Sequence, residues 1–198
     1  SNGNGVVNAI PNAETYNYGA TVTIVATANS NYHFVSWSDG NTTATREITM
    51  TANTTLSATF AINSYTITAT AGTGGTVTGS GSYNYGATAT LTATPNTGYS
   101  FVSWNDGVTT ASRSITVSAA ATYTATFAIN SYTITATAGT GGSVTGSGSY
   151  NYGATATLTA TPNTGYSFVS WNDGVTTASR SITVSAAATY TATFAINT

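Results

Sequence analysis

Three tryptophans, Trp37, Trp104 and Trp171, stand 67 residues apart, and that interval carries much of the chain with it. Tyr16/Tyr83/Tyr150, Tyr18/Tyr85/Tyr152, Gly19/Gly86/Gly153, Asp39/Asp106/Asp173, Arg46/Arg113/Arg180 and Phe60/Phe127/Phe194 all recur at the same offset. A chain with this self-similarity folds as copies of one small unit rather than around a single core. The units divide as residues 1–62, 63–129 and 130–198. Units two and three, aligned from Ser64 and Ser131, differ only at Thr76 against Ser143. Unit one is a diverged relative that begins partway through its first strand, so the chain reads as an excerpt from a longer array.

Unit two shows the local pattern most clearly. Tyr65 to Ala71 alternates Tyr, Ile and Ala with Thr, the period of two expected of a strand with one buried face. Gly72-Thr73-Gly74-Gly75, Tyr83-Asn84-Tyr85-Gly86, Pro95-Asn96-Thr97-Gly98 and Asn105-Asp106-Gly107 read as turns. Between them lie strands around Val77, from Ala87 to Thr94, from Tyr99 to Trp104, from Arg113 to Val117, and from Tyr123 to Ile129. No segment carries a helical stripe, and Ser118-Ala119-Ala120-Ala121 is too short to stand as a helix. The expected fold is therefore all-β: a tandem array of small antiparallel β-sandwich or β-grasp-like domains of about six strands each, with no substantial helix. The expected core is Tyr65, Ile67, Leu91, Tyr99, Phe101, Trp104, Ile115, Val117 and Phe127, and across the units Trp37, Trp104, Trp171, Phe34, Phe101, Phe168, Phe60, Phe127 and Phe194. Only Asn130-Ser131 separates Ile129 from Tyr132, a joint too short for free hinge motion. Three such units stacked end to end predict a rod on the order of 100 Å long.

Composition removes several functions. Charged residues are 4 % of the chain, there is no Lys, and the formal charge of -2 offers no basic surface to nucleic acid or anionic lipid. There is no Cys for a disulfide, and no apolar run approaches the roughly 20 residues that span a bilayer. Each unit has one Asp and one Arg, while His33, Glu14 and Glu47 occur only in unit one. That inventory does not supply a repeated catalytic set, and Ser100 stands where His33 would be. One Asp per unit is likewise a poor calcium site. Isopeptide and ester cross-links need Lys or Gln, and neither is present. No catalytic residue, cofactor or metal is expected.

The run Tyr65 to Ile67, Gly74 to Val77, Tyr83 to Thr88, Leu91 to Trp104, Asp106-Gly107 and Ala125 to Phe127, with its equivalents at 67-residue offsets, resembles the divergent InlB B-repeat family, relatives of the Listeria-Bacteroides repeat. The resemblance covers essentially the whole chain. It implies an extracellular or cell-surface location in bacteria, a spacer or stalk role of the adhesin type, and no catalysis. The best-known relatives have a β-grasp fold with a helix, for which this sequence offers no segment.

The remaining polar and aromatic repeats each carry a sharper and a plainer reading. Asp39, Asp106 and Asp173 with Arg46, Arg113 and Arg180 are candidate joint or turn residues. In a tight hairpin at Asp106-Gly107, Arg113 would lie about 20 Å from the turn. The plainer reading has Asp106 bonding its own turn and Arg113 over an aromatic ring; the sharper has Arg113 paired across a joint. Tyr83, Tyr85, Tyr150 and Tyr152, with Trp104 and Asp106, are glycan-contact candidates, against a plainer role in core or joint. Thr88, Thr90, Thr92 and Thr94 resemble an ice-binding ladder, but strand propensity explains them. Uncharged strand edges without Lys also allow self-association into fibres, so the expected partners are neighbouring repeats or identical chains, with any glycan or host ligand unknown.

Overall fold

The computed structural model describes residues 3–198, and these contain no α-helix. They form two compact units, one comprising residues through Thr68 with Gly79–Thr90 and Ser114–Thr122, the other Ala69–Thr78, Leu91–Arg113 and Tyr123–Thr198. Repeat 1 thus lies wholly in the first and repeat 3 wholly in the second. Repeat 1 contributes β1 (Gly5–Ile10), β2 (Thr21–Ala28), β3 (Tyr32–Trp37), β4 (Thr45–Thr49) and β5 (Ala58–Ile62). Repeat 2 contributes β6 (Ser64–Ala71), β7 (Gly75–Thr78), β8 (Gly81–Asn84), β9 (Thr88–Pro95), β10 (Tyr99–Trp104), β11 (Ser112–Thr116) and β12 (Ala121–Ile129). Repeat 3 repeats this with β13 (Ser131–Ala138), β14 (Gly142–Thr145), β15 (Gly148–Asn151), β16 (Thr155–Pro162), β17 (Tyr166–Trp171), β18 (Ser179–Thr183) and β19 (Ala188–Ile196).

The all-β expectation holds, with one more strand per complete repeat than the pattern showed. The added strand is Gly81–Asn84, whose Gly-Ser-rich sequence looks like turn but pairs antiparallel with β6. In repeat 3 the strands form two sheets, ordered β15-β13-β19-β17 and β14-β16-β18. All pairs are antiparallel except β13 with β19, which run parallel from Ile134 opposite Ala188 to Ala138 opposite Ala192. The core lies between the sheets. Ile134, Ala192, Phe194 and Trp171 come from one, and Ala156, Leu158 and Ala160 from the other, with Val184 beside them.

The alternation of β16 sets this packing. Ala156, Leu158 and Ala160 are buried while Thr155 and Thr157 face outward. Two of the three buried side chains are methyl groups, a surface against which the bulk of Trp171 fits. Trp171 is 1 % exposed, and its indole Nε1–H donates to the Thr177 carbonyl at 3.0 Å, so the ring is buried with its one donor satisfied. Phe168 and Trp171 are three residues apart, which strict alternation would put on opposite faces. A register shift between Phe168 and Ser170 turns both inward, leaving Val169 exposed. Phe168 then meets Trp171 at 5.8 Å and Phe194 edge-on at 5.9 Å between ring centroids. The same triad recurs as Phe34, Trp37 and Phe60 and as Phe101, Trp104 and Phe127. Of the expected core, Tyr65, Tyr99, Phe101 and Ile115 are only half-buried, whereas Ala89, Ala93 and Ala125 are fully buried.

Repeat 1 departs from the other two at its start. Gly5 lies opposite Ala28, as Gly142 lies opposite Pro162, and Gly5 packs under the Phe60 ring as Gly142 does under Phe194. Its first described strand is therefore the counterpart of β14, the second strand of a complete repeat, and not a shortened first strand. Three additional residues before Tyr16 hid this from a fixed 67-residue offset.

Candidate functional site

Two constellations recur: an aspartate turn in every repeat and a joint between successive repeats. The turn follows the tryptophan. Gly107 N–H donates to the Trp104 carbonyl and Trp104 N–H to the Val108 carbonyl, closing a tight loop that Asp106 braces through Oδ1 on the Val108 N–H. Beyond it the chain does not return along β10. It crosses to the other sheet, where β11 pairs with β9, while β10 pairs with β12. The hairpin assumed from sequence does not exist, and Arg113 comes back beside the turn. Its Nη1 reaches Asp106 Oδ1 at 2.7 Å, and Arg46–Asp39 and Arg180–Asp173 repeat the pair at 2.7 and 2.6 Å. The separation inferred from a simple register is thus corrected. So is the cross-joint alternative, because each pair closes inside its own repeat.

The guanidinium of Arg113 also lies over the Tyr123 ring, 4.8 Å from its centroid, and Arg180 over Tyr190 at 4.7 Å. In repeat 1 Leu56 takes that position and offers no ring to Arg46. Removing Arg180 or Arg113 is therefore expected to cost about 1 kcal/mol more than removing Arg46, the size of a partly desolvated cation–π contact. Chemical denaturation of the three Arg→Ala variants measures the difference.

The arginine hydrogen bond holds each aspartate carboxyl below its ordinary value. A folded-state pKa below the unfolded one means that the bond's contribution is present above the unfolded value and disappears as pH falls through the folded one. Stability is expected to stay level from about pH 8 to 5 and to fall below about pH 4. Thermal melts across that range, repeated with Asp106→Asn and Asp173→Asn, measure it, and the substituted chain loses much of the acid slope.

The joint is a single residue. β12 ends at Ile129, β13 begins at Ser131, and Asn130 between them is bonded on three sides. Its N–H donates to the Gly98 carbonyl at 2.8 Å, its carbonyl accepts the Tyr152 N–H at 2.8 Å, and its Oδ1 accepts the Ser100 hydroxyl at 2.6 Å. The Tyr152 ring packs on Gly98, where an added Cβ would stand 2.1 Å from Cδ1. Asn63 does the same for the first joint. It donates to the Asn31 carbonyl, accepts from Tyr85 N–H, and places Oδ1 3.0 Å from His33 Nδ1. Asn31 replaces the glycine and keeps its left-handed backbone, with φ of 66° against 80° at Gly98. Sequence reading placed Asn130 in the joint, as one of two residues, but did not show the bonds it makes or single out Asn63. Their signal was an Asn at the 67-residue offset in the one position separating two strand patterns.

The glycan candidates take structural places. Tyr83 and Tyr150 are half-buried and donate their hydroxyls to the Gly79 and Gly146 carbonyls at 2.7 Å, while Tyr85 and Tyr152 belong to the joints. Among the described residues no cluster of three or more His, Asp or Glu side chains could hold a metal ion.

With seven strands, the Phe–Trp–Phe triad and the aspartate turn in each complete repeat, the unit can be compared with known families. The divergent InlB B-repeat domain model matches residues 1–64, 65–131 and 132–198. The chain belongs to the divergent InlB B-repeat family. Neither a curated protein nor a solved structure matches it. InlB B-repeats are typically non-catalytic structural repeats associated with bacterial surface and extracellular proteins. The family boundaries fall within two residues of Asn63 and Asn130, so the joint asparagines mark where one InlB B-repeat gives way to the next.

Proposed function

We propose that this chain is a spacer: a run of repeats in the stalk of a bacterial surface or secreted protein, holding another domain away from its anchor. The observation that carries the reading is the joint. A one-residue linker whose N–H, carbonyl and side chain are all engaged, capped by a tyrosine ring on a glycine, resists bending in a way that a flexible linker does not. Tandem repeats joined by nearest-neighbour contacts set length by copy number, and the near-identity of repeats 2 and 3 fits that use. Small-angle scattering on the 198-residue chain tests it. A maximum dimension on the order of 100 Å supports the spacer, and a compact particle overturns it.

A further inference from the structure

Each aspartate turn is also an Asp-Gly sequence: Asp39-Gly40, Asp106-Gly107 and Asp173-Gly174. This dipeptide is prone to backbone rearrangement, because glycine brings no side chain to shield its nitrogen from the neighbouring carboxyl. In the rearrangement the glycine nitrogen bonds to the aspartate Cγ and gives up its proton, the carboxyl loses its hydroxyl, and the two leave as water. Water then reopens the five-membered imide at either carbonyl. Opening at Cγ restores aspartate, and opening at the main-chain carbonyl leaves isoaspartate, with one more carbon in the backbone. The reacting carboxyl is the neutral one, since a carboxylate is a poor electrophile. The turn cannot discard its glycine, because Gly174 has φ of 86°, in the left-handed region. Nor can it absorb the product: an added backbone atom would throw the bonds that Gly174 and Val175 make with Trp171 out of register.

We propose that the arginine of each repeat guards its Asp-Gly turn against this rearrangement, and that Asp173-Gly174 becomes an isoaspartate site once Arg180 is removed. Three contacts act on the atoms that would react. Arg180 Nη1 lies 2.6 Å from Asp173 Oδ1 and keeps the carboxyl ionised to lower pH. The Val175 N–H donates to the same oxygen at 3.4 Å, and the attacking nitrogen is itself engaged, donating to the Trp171 carbonyl at 2.9 Å. The guanidinium is held in place: its side chain is 14 % exposed and lies over the Tyr190 ring. Arg46 has no such ring, but it reaches both oxygens of Asp39, at 2.9 and 2.7 Å. An ion pair with its carboxylate at the surface adds little to stability, so its presence in all three repeats fits a chemical role better than a structural one. The proposal is independent of the spacer reading, because it concerns the chemistry inside each turn and not the length of the array.

The test ages the whole 198-residue chain in mildly acidic buffer and digests it with chymotrypsin, which cuts after Trp171 and Tyr190 to release residues 172–190. The matching peptide of residues 105–123 has the same sequence, so a substitution in repeat 3 gives the two different masses and leaves Asp106 as a reference inside the same molecule. Isoaspartate is read by its chromatographic shift at unchanged mass and placed by electron-transfer fragmentation. In Arg180→Ala, Asp173 is expected to isomerise about fivefold faster than Asp106, the ratio that corresponds to losing an ion pair of this kind. Arg113→Ala is expected to reverse the order of the two sites. Ile182→Ala removes a side chain packed against the core from the same strand while keeping Arg180 and Asp173, and is expected to leave the two sites alike. Equal rates at Asp173 and Asp106 in Arg180→Ala overturn the proposal. It is overturned equally if Ile182→Ala accelerates Asp173 as much as Arg180→Ala does, because the stability of the repeat, and not the arginine, would then be the guard.

Discussion

Trp171→Ala is expected to unfold repeat 3. The ring is almost fully enclosed between two sheets, touching Phe168 and packing with Ala156, Leu158 and Ala160, and its Nε1–H satisfies the Thr177 carbonyl. Truncating a large buried aromatic costs about 3–5 kcal/mol. A unit of this size has only about 3–10 kcal/mol of stability to lose. Alanine neighbours cannot reach across to fill the space, so relaxation recovers little. Denaturant unfolding followed by the fluorescence of Trp37 and Trp104, with amide exchange across residues 131–196, is expected to show repeat 3 unprotected while the Trp37 signal keeps its transition. Trp171→Phe serves as the graded control. It keeps an aromatic ring but removes the donor, and is expected to fall between the wild-type chain and the alanine variant. A Trp171→Ala chain with undiminished protection in residues 131–196 would show that the tryptophan is not the centre of the repeat.

How far the sequence could be read depended on whether each feature was local. Alternation is local. Thr88, Thr90 and Thr92 outward with Ala89, Leu91 and Ala93 inward follow from period two alone, and β9 is built that way. Arg113 and Ile115 share a face by the same rule, as observed. Strand partners are not local. Asp106-Gly107 has the composition of a hairpin turn, and no local signal reveals that the chain changes sheets after it. That single error separated Asp106 from Arg113 by about 20 Å when the two are in contact. Alternation put Ala125 and Ala156 on inward faces, but it did not show that the tryptophan depends on their small size. A methyl group next to a tryptophan is a core residue because of what it makes room for, and sequence shows only the small side chain. The Gly81–Asn84 strand and the three additional residues of repeat 1 failed differently, the first because glycine and serine suggest turns and the second because a fixed offset cannot register an insertion.

The joint offers the sharpest comparison, because the chain contains both its closed and open forms. Gly98 and Gly165 have the same neighbours in sequence and nearly the same backbone, with φ of 80° and 83°, but only Gly98 carries a tyrosine ring. Gly165→Ala is expected to cost roughly 1–2 kcal/mol, the penalty for a side chain in the left-handed region. Gly98→Ala adds to that a Cβ 2.1 Å from Tyr152 Cδ1, which no rotation of the methyl group relieves. Overpacking of this kind costs a further 1–3 kcal/mol or so, unless the ring swings out and the joint loosens. The two outcomes separate cleanly. If the ring holds, Gly98→Ala lowers the stability of repeats 2 and 3 by more than Gly165→Ala lowers that of repeat 3. If it swings out, the stabilities converge, and exchange of the Tyr152 amide, bonded to the Asn130 carbonyl, accelerates instead. In a Tyr152→Ala background the extra cost of Gly98→Ala is expected to vanish, leaving only the backbone penalty, and that double-mutant cycle isolates the ring-on-glycine contact from everything else in the joint. Equal costs for both glycine substitutions, with Tyr152 exchange unchanged, would mean that the ring does not hold the repeats together and that joint stiffness rests on Asn130 alone.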